Sequence, residues 1–191
     1  MKLGERFDYG RLKLRAMLWL LLGRDRAACR TFGEMLAIWP DDAYALASRS
    51  HVLVQIGRRD EAIADARRLT ALHPARSAAD WFNLAFMLEG AGHPEEAEPA
   101  FRRALELDPK LDRAWYGLAL VLIRMDRGDE ALVALKRNTE LQPMSPYGWY
   151  QLARLHADRH DTEQARRIIR HLKEFEPQVA AQLQRETGLA P

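Results

Sequence analysis

The chain has 191 residues, 48% of them hydrophobic and 29% charged, which is enough apolar material for one sizeable core and too much for a disordered segment. Its single cysteine, Cys29, excludes an internal disulfide framework and a multi-thiolate metal knuckle. The 29 Lys and Arg against 27 Asp and Glu leave a net charge of +2, so no whole-chain basic field directs it to nucleic acid or to anionic lipid.

The first predicted helix carries the most apolar run in the chain, Leu18-Trp19-Leu20-Leu21-Leu22. Arg6, Arg11, Lys13 and Arg15 precede it, and no small-residue cleavage site follows before Arg24-Asp25-Arg26, so the pattern is not that of a secretory signal. The run also falls far short of the ~20 residues that a membrane-spanning helix needs. The expectation is a cytoplasmic protein that keeps its first helix. Met17, Leu18, Leu20 and Leu21 leave little of that helix polar, whereas a terminal helix should keep one face for water. They are therefore candidates for self-association as a homodimer, unless residues 1–9 fold over them. Residues 1–40 also hold eight Lys and Arg against four Asp and Glu, and residues 78–111 hold three against seven, an asymmetry that suits head-to-tail assembly or an anionic partner.

From Tyr9 onward the chain repeats. Pro40, Pro74, Pro109, Pro143 and Pro177 are separated by 34, 35, 34 and 34 residues. Twelve residues before each stands an alanine: Ala28, Ala62, Ala97, Ala131 and Ala165. Twenty-four before stands a small residue, Ala16, Ser50, Ala85, Ala119 or Ala153, and twenty-eight before stands Leu12, Leu46, Trp81, Trp115 or Trp149.

Each unit reads as two helices. Between Trp81 and Leu88 the apolar residues fall at i, i+3, i+4 and i+7, the spacing of one buried helical stripe. Gly92-His93-Pro94 follows as a turn, with proline suited to the first helical position and Glu95-Glu96 to the positive end of the next helix. That helix turns Ala97, Phe101, Ala104 and Leu105 inward and stops before Pro109, which disfavours the α conformation of Asp108. Pro99 within it should remove one backbone bond and bend it. Asp42, Asp112 and Ser145-Pro146 are start signals for other helices, and Ser77 to Asp80 resembles a capping box. The small-residue columns mark where antiparallel helices cross, and a bulky side chain there costs about 1–3 kcal/mol.

These columns resemble the tetratricopeptide repeat, a 34-residue helix–turn–helix unit with Trp, Leu-Gly, Tyr, Ala, Phe, Ala and Pro at fixed places. The resemblance covers residues 9–177 and is strongest from Asp80 to Pro109. It implies an all-α fold, a right-handed α-solenoid of antiparallel helix–turn–helix repeats at about 9–42, 43–76, 78–111, 112–145 and 146–179, closed by a capping helix at 178–188. One domain over 1–191 is expected, with the extra residue near Ala75-Arg76-Ser77 as its seam. Arg15 and Arg49 stand where the family has a core Leu, and Asn138 and His156 occupy columns that are normally apolar. Either the two arginines snorkel or their helices are shifted.

The same resemblance implies that the first helix of each unit lines a concave groove. The positions it assigns there carry Tyr44 and His51 in the second unit, and Phe82, Phe86 and Glu89 with Asn83 beside them in the third. The fourth supplies Arg113 and Tyr116 with adjacent Arg124, and the fifth Tyr147, Tyr150 and Arg154. Aromatic and Arg side chains suit an extended or helical segment of another protein; the alternative is that they pack loop or cap elements. A carboxylate clamp for an acidic chain end is not reproduced, since only Asn83 and Arg113 match while Ala47, His51 and Gly117 do not.

No Gly-rich phosphate loop, nucleophile elbow or zinc-protease signature occurs, so no catalytic residue, cofactor or metal ligand is assigned and an enzyme is not expected. His156 and His160 are four apart without a carboxylate at motif spacing. Helical-repeat RNA readers need a basic groove, and Glu89 with the acidic third unit argues against one. The expected function is a protein-interaction scaffold that binds a partner segment; the alternative is a structural protein that assembles through its first helix.

Overall fold

A computed structural model describes residues 3–189, and residues 1–2 of the expected N-terminal cover lie outside them. Among the described residues every element is an α-helix: α1 (Leu3–Leu21), α2 (Asp25–Ile38), α3 (Ala43–Gln55), α4 (Arg59–Leu72), α5 (Ala78–Gly90), α6 (Pro94–Leu107), α7 (Asp112–Arg124), α8 (Gly128–Leu141), α9 (Pro146–Asp158), α10 (Thr162–Phe175) and α11 (Pro177–Thr187). None of them is long and apolar enough to cross a membrane. The chain divides into two compact units, Met1–His93 and Pro94–Pro191.

In the first unit α1 packs on α2, α2 on α3, α3 on α4 and α4 on α5, and the short turns between them make neighbours antiparallel. Phe32, Met35, Leu46, Val52 and Leu53 are buried at its centre. The small-residue columns sit at the crossings: Ala16, Ala28 and Ala62 have no exposure, and Ser50 fits the same column because its hydroxyl donates to the Ala62 carbonyl at 2.9 Å. Asp42 caps α3 as expected, accepting from the Ala45 N–H at 2.7 Å. The capping box at Ser77 is not formed. Ser77 accepts from the Ala79 N–H, while the buried Asp80 carboxylate is held by both arms of Arg76.

Neither arginine at a core-like position enters the core unpaired. Arg49 forks onto Asp65 through two bonds of 2.6 Å, with the Asp65 side chain 8% exposed. Arg15 stays at the surface and bonds to Glu34.

In the second unit α6 packs on α7, α7 on α8, α8 on α9, α9 on α10 and α10 on α11, and α11 also reaches α9. Ala97, Ala119, Ala131, Ala153 and Ala165 are fully buried at the crossings. Helix α6 runs unbroken through Pro99. Asp112 begins α7 rather than preceding it, and Leu111 at the N-cap supplies no side-chain bond; Ser145 likewise caps α9 by position only, followed by Pro146. The expected cap is present as α11, which buries Ala180 and Leu183 and ends at Gly188 in the left-handed conformation. Left-handed residues also mark the turns inside the repeats, at Gly23, Gly57 and Gly92, with Asp126 and His160 taking the same place in the last two.

Asn138 and His156, polar residues in apolar columns, are both satisfied. The Asn138 amide donates to the Asp112 carbonyl at 2.9 Å, and Gly148 leaves room for it, since a Cβ there would collide with Asn138 Oδ1. His156 Nδ1 lies 3.0 Å from Asp161, the residue that caps α10.

Candidate interaction surfaces

Helical spacing sets Phe82, Phe86 and Glu89 along one face of α5. The Phe82 and Phe86 rings stack with centroids 6.1 Å apart, and Phe86 remains 60% exposed. Asn83 is exposed beside them. On α3, His51 is exposed and its Nε2 lies 3.0 Å from Gln55. Tyr44 is drawn inward instead, edge-on to Phe32 and under the Lys13 ammonium. All of these belong to the first unit.

The remaining candidates belong to the second unit. Arg113 and Arg124 are exposed on α7, and Tyr116 is half-buried between them. On α9, Tyr147 is 69% exposed. Tyr150 is not open in the same way: its hydroxyl donates to Glu186 of α11 at 2.6 Å, and the Arg154 guanidinium sits 5.9 Å from its ring. The bond to Glu186 raises the Tyr150 pKa, and the bonds from Tyr150 and Gln182 lower that of Glu186. The protein's own capping helix thus engages one residue of the expected groove. Glu186 stands 36 residues after Tyr150 in a segment with no repeat pattern, so only the cap's return onto α9 reveals it.

A third surface lies on α1. Its residues 3–9 continue the helix and do not fold back over it, which removes that part of the expected cover. Met17, Leu18, Leu20 and Leu21 are all exposed, and so are Phe7 at 74% and Leu14 at 70%. Sequence reading missed the last two because the Leu18–Leu22 run drew the eye from the wider spacing 7, 14, 21.

Chemically these surfaces offer apolar and aromatic area with guanidinium groups, and among the described residues no three His, Cys, Asp or Glu side chains gather to hold a metal. Cys29 is buried and unpaired, and burial raises its thiol pKa. Buried side-chain polar atoms all have partners among the described residues, so no orphaned group points into a cavity.

Residues 88–150 match the family model described as tetratricopeptide repeat. No curated protein matches the chain in sequence. Among solved structures, the crystal structure of MamA superposes with a TM-score of 0.82 at 18% identity, covering 95% of this chain and 96% of that one. YrrB, described as a TPR protein with an unusual peptide-binding site, gives 0.80 at 20% identity over 89% and 88%. A tetratricopeptide repeat protein from Parabacteroides merdae gives 0.81 at 18% identity over 94% and 73%. At these identities the likeness is one of fold, an all-α solenoid of helix–turn–helix repeats. Residues 88–150 thus carry the tetratricopeptide repeat, and the helix–turn–helix array as a whole shares the fold of these repeat structures.

Proposed function

We propose that the chain is a non-catalytic scaffold that holds an extended or helical segment of a partner protein against the first helices of its repeats. The observation that carries this reading is the exposure of Phe86 and Tyr147, since rigid aromatic area facing water is what a partner's side chains pack upon. Arg113, Arg124 and Arg154 are exposed on α7 and α9 and suit carboxylates, so the segment held by the second unit is acidic. On the first unit, His51 of α3 and Phe82, Asn83 and Glu89 of α5 offer a contact face of that unit's own. The peptide-binding site of YrrB, a relative in fold, supports the same use here. Panning a displayed random-peptide library on the protein should enrich sequences that place Asp or Glu beside apolar residues. The double variant Phe86→Ala, Tyr147→Ala should weaken the enriched peptides at least about tenfold, a loss of roughly 1.4 kcal/mol, with its melting curve unchanged. Absence of enrichment, or equal binding by the variant, would overturn the reading.

Self-association is a second reading, favoured by the exposure of Phe7, Leu14 and Leu21 on one helix. Light scattering over a concentration series should show mass rising above that of one chain; a constant monomer would end it.

A further inference from the structure

The geometry points to a symmetric dimer in which α1 of one copy pairs antiparallel with α1 of a second, about a two-fold axis at Leu14; the inference rests on the self-association reading. At about 100° of turn per residue, Phe7, Leu14, Leu18 and Leu21 share one face of α1. It lies opposite Leu12 and Ala16, which are buried. All four apolar residues are exposed, and Gly10 on the same face has open space where a Cβ would stand. Along the helix these residues, 7, 10, 14, 18 and 21, are spaced three, four, four and three apart, so they form one narrow seam that reads the same in both directions.

The seam is self-complementary in one sense only. In an antiparallel pair centred on Leu14, residues that face one another have numbers summing to 28, so Phe7 meets Leu21, Gly10 meets Leu18 and Leu14 meets its own copy. The gap at Gly10 is filled by a leucine. A parallel pair sets Gly10 against Gly10 and leaves a void, which forfeits contact on both sides. Two of the guanidiniums flanking the seam bring little uncompensated charge to the approach, since Arg11 pairs with Asp8 at 3.5 Å and Arg15 with Glu34. The exposed stripe is on the order of 500 Å², as large as the largest apolar patch on an ordinary monomer. Two such stripes together approach the ~1,200 Å² low end of specific interfaces.

Site-directed cross-linking tests the register, with the wild type, whose sole cysteine is the buried Cys29, as the unlinked control. Leu14→Cys should oxidise to a covalent dimer on a non-reducing gel, because the two copies meet on the axis. Leu18→Cys should not link to itself, since its two copies lie about 12 Å apart along the helix direction, beyond the ~7 Å that a disulfide tolerates. Phe7→Cys mixed with Leu21→Cys should link, while neither alone does. If light scattering shows a dimer and Leu18→Cys links to itself, whether or not Leu14→Cys does, the antiparallel pairing is overturned and self-association stands. If the wild type is a monomer at every concentration, both fall.

Discussion

The indole N–H of Trp115 donates to the carbonyl of Pro109 at 2.9 Å. The same bond runs from Trp149 to Pro143 and from Trp81 to Pro74, each at 2.9 Å. Two columns of the repeat are therefore one device. The proline ends a helix, and the tryptophan that opens the next pins the freed carbonyl, so the angle between successive helices is fixed by a bond as well as by packing. Trp115→Phe keeps a ring in place and loses the donor, which should cost about 1 kcal/mol. Urea unfolding should show a lower midpoint at unchanged slope; an unmoved midpoint would mean that the bond contributes nothing to stability.

The periodicity of the chain made the helices legible because proline and alanine report on their own positions. A helix stops before proline, and only a small side chain fits a crossing, whatever its neighbours are. Residues whose meaning lies in a partner were not legible in this way. Arg49 in a leucine column is explained by Asp65, sixteen residues on, in a column that elsewhere holds Ala134 and Ile168. Asn138 is explained by Gly148, and Tyr150 by Glu186. Interaction surfaces share this difficulty, since their partner is a different molecule.

The Arg49 pair gives a second expectation. The corresponding positions in the later repeats are Leu118 with Ala134 and Leu152 with Ile168, all buried, so charge is not needed for the fold. Arg49→Leu alone strands the Asp65 carboxylate and should cost about 2–4 kcal/mol, somewhat under the full cost of a deeply buried pair because the arginine side chain retains 29% exposure. Arg49→Leu with Asp65→Ala should recover most of that loss. Chemical denaturation of the two singles and the double closes the cycle, and strictly additive losses would show that the two side chains are not coupled.

Gly148 and Asn138 should be coupled in the opposite sense. A methyl group at 148 meets the Asn138 amide oxygen, so Gly148→Ala should cost about 1–3 kcal/mol by overpacking. One repeat earlier the chain itself places alanine at both positions, Ala104 and Ala114, each fully buried. On an Asn138→Ala background the glycine substitution should accordingly be almost free, although that background loses the bond to the Asp112 carbonyl. A comparable penalty on both backgrounds would refute the collision.

Alkaline pH should expose the tie between α1 and the second repeat. Tyr9 lies edge-on to Trp39, with centroids 5.1 Å apart, and its hydroxyl donates to Asp42 Oδ2 at 3.2 Å while Asp42 Oδ1 accepts from the Ala45 N–H. Burial, followed by the Asp42 carboxylate, pushes the phenol up to about 12 from its ordinary value of 10.0. The folded chain therefore holds this proton more tightly than the unfolded chain does. Stability from this group is fully present below pH 10 and is lost as the pH climbs from there toward 12. Tyr9→Phe has no proton to lose, so its melting temperature should fall less steeply than the wild type's across that window, even though it starts lower at neutral pH for want of the bond to Asp42. Parallel slopes for the two proteins would show that the hydroxyl is not held as the structure places it.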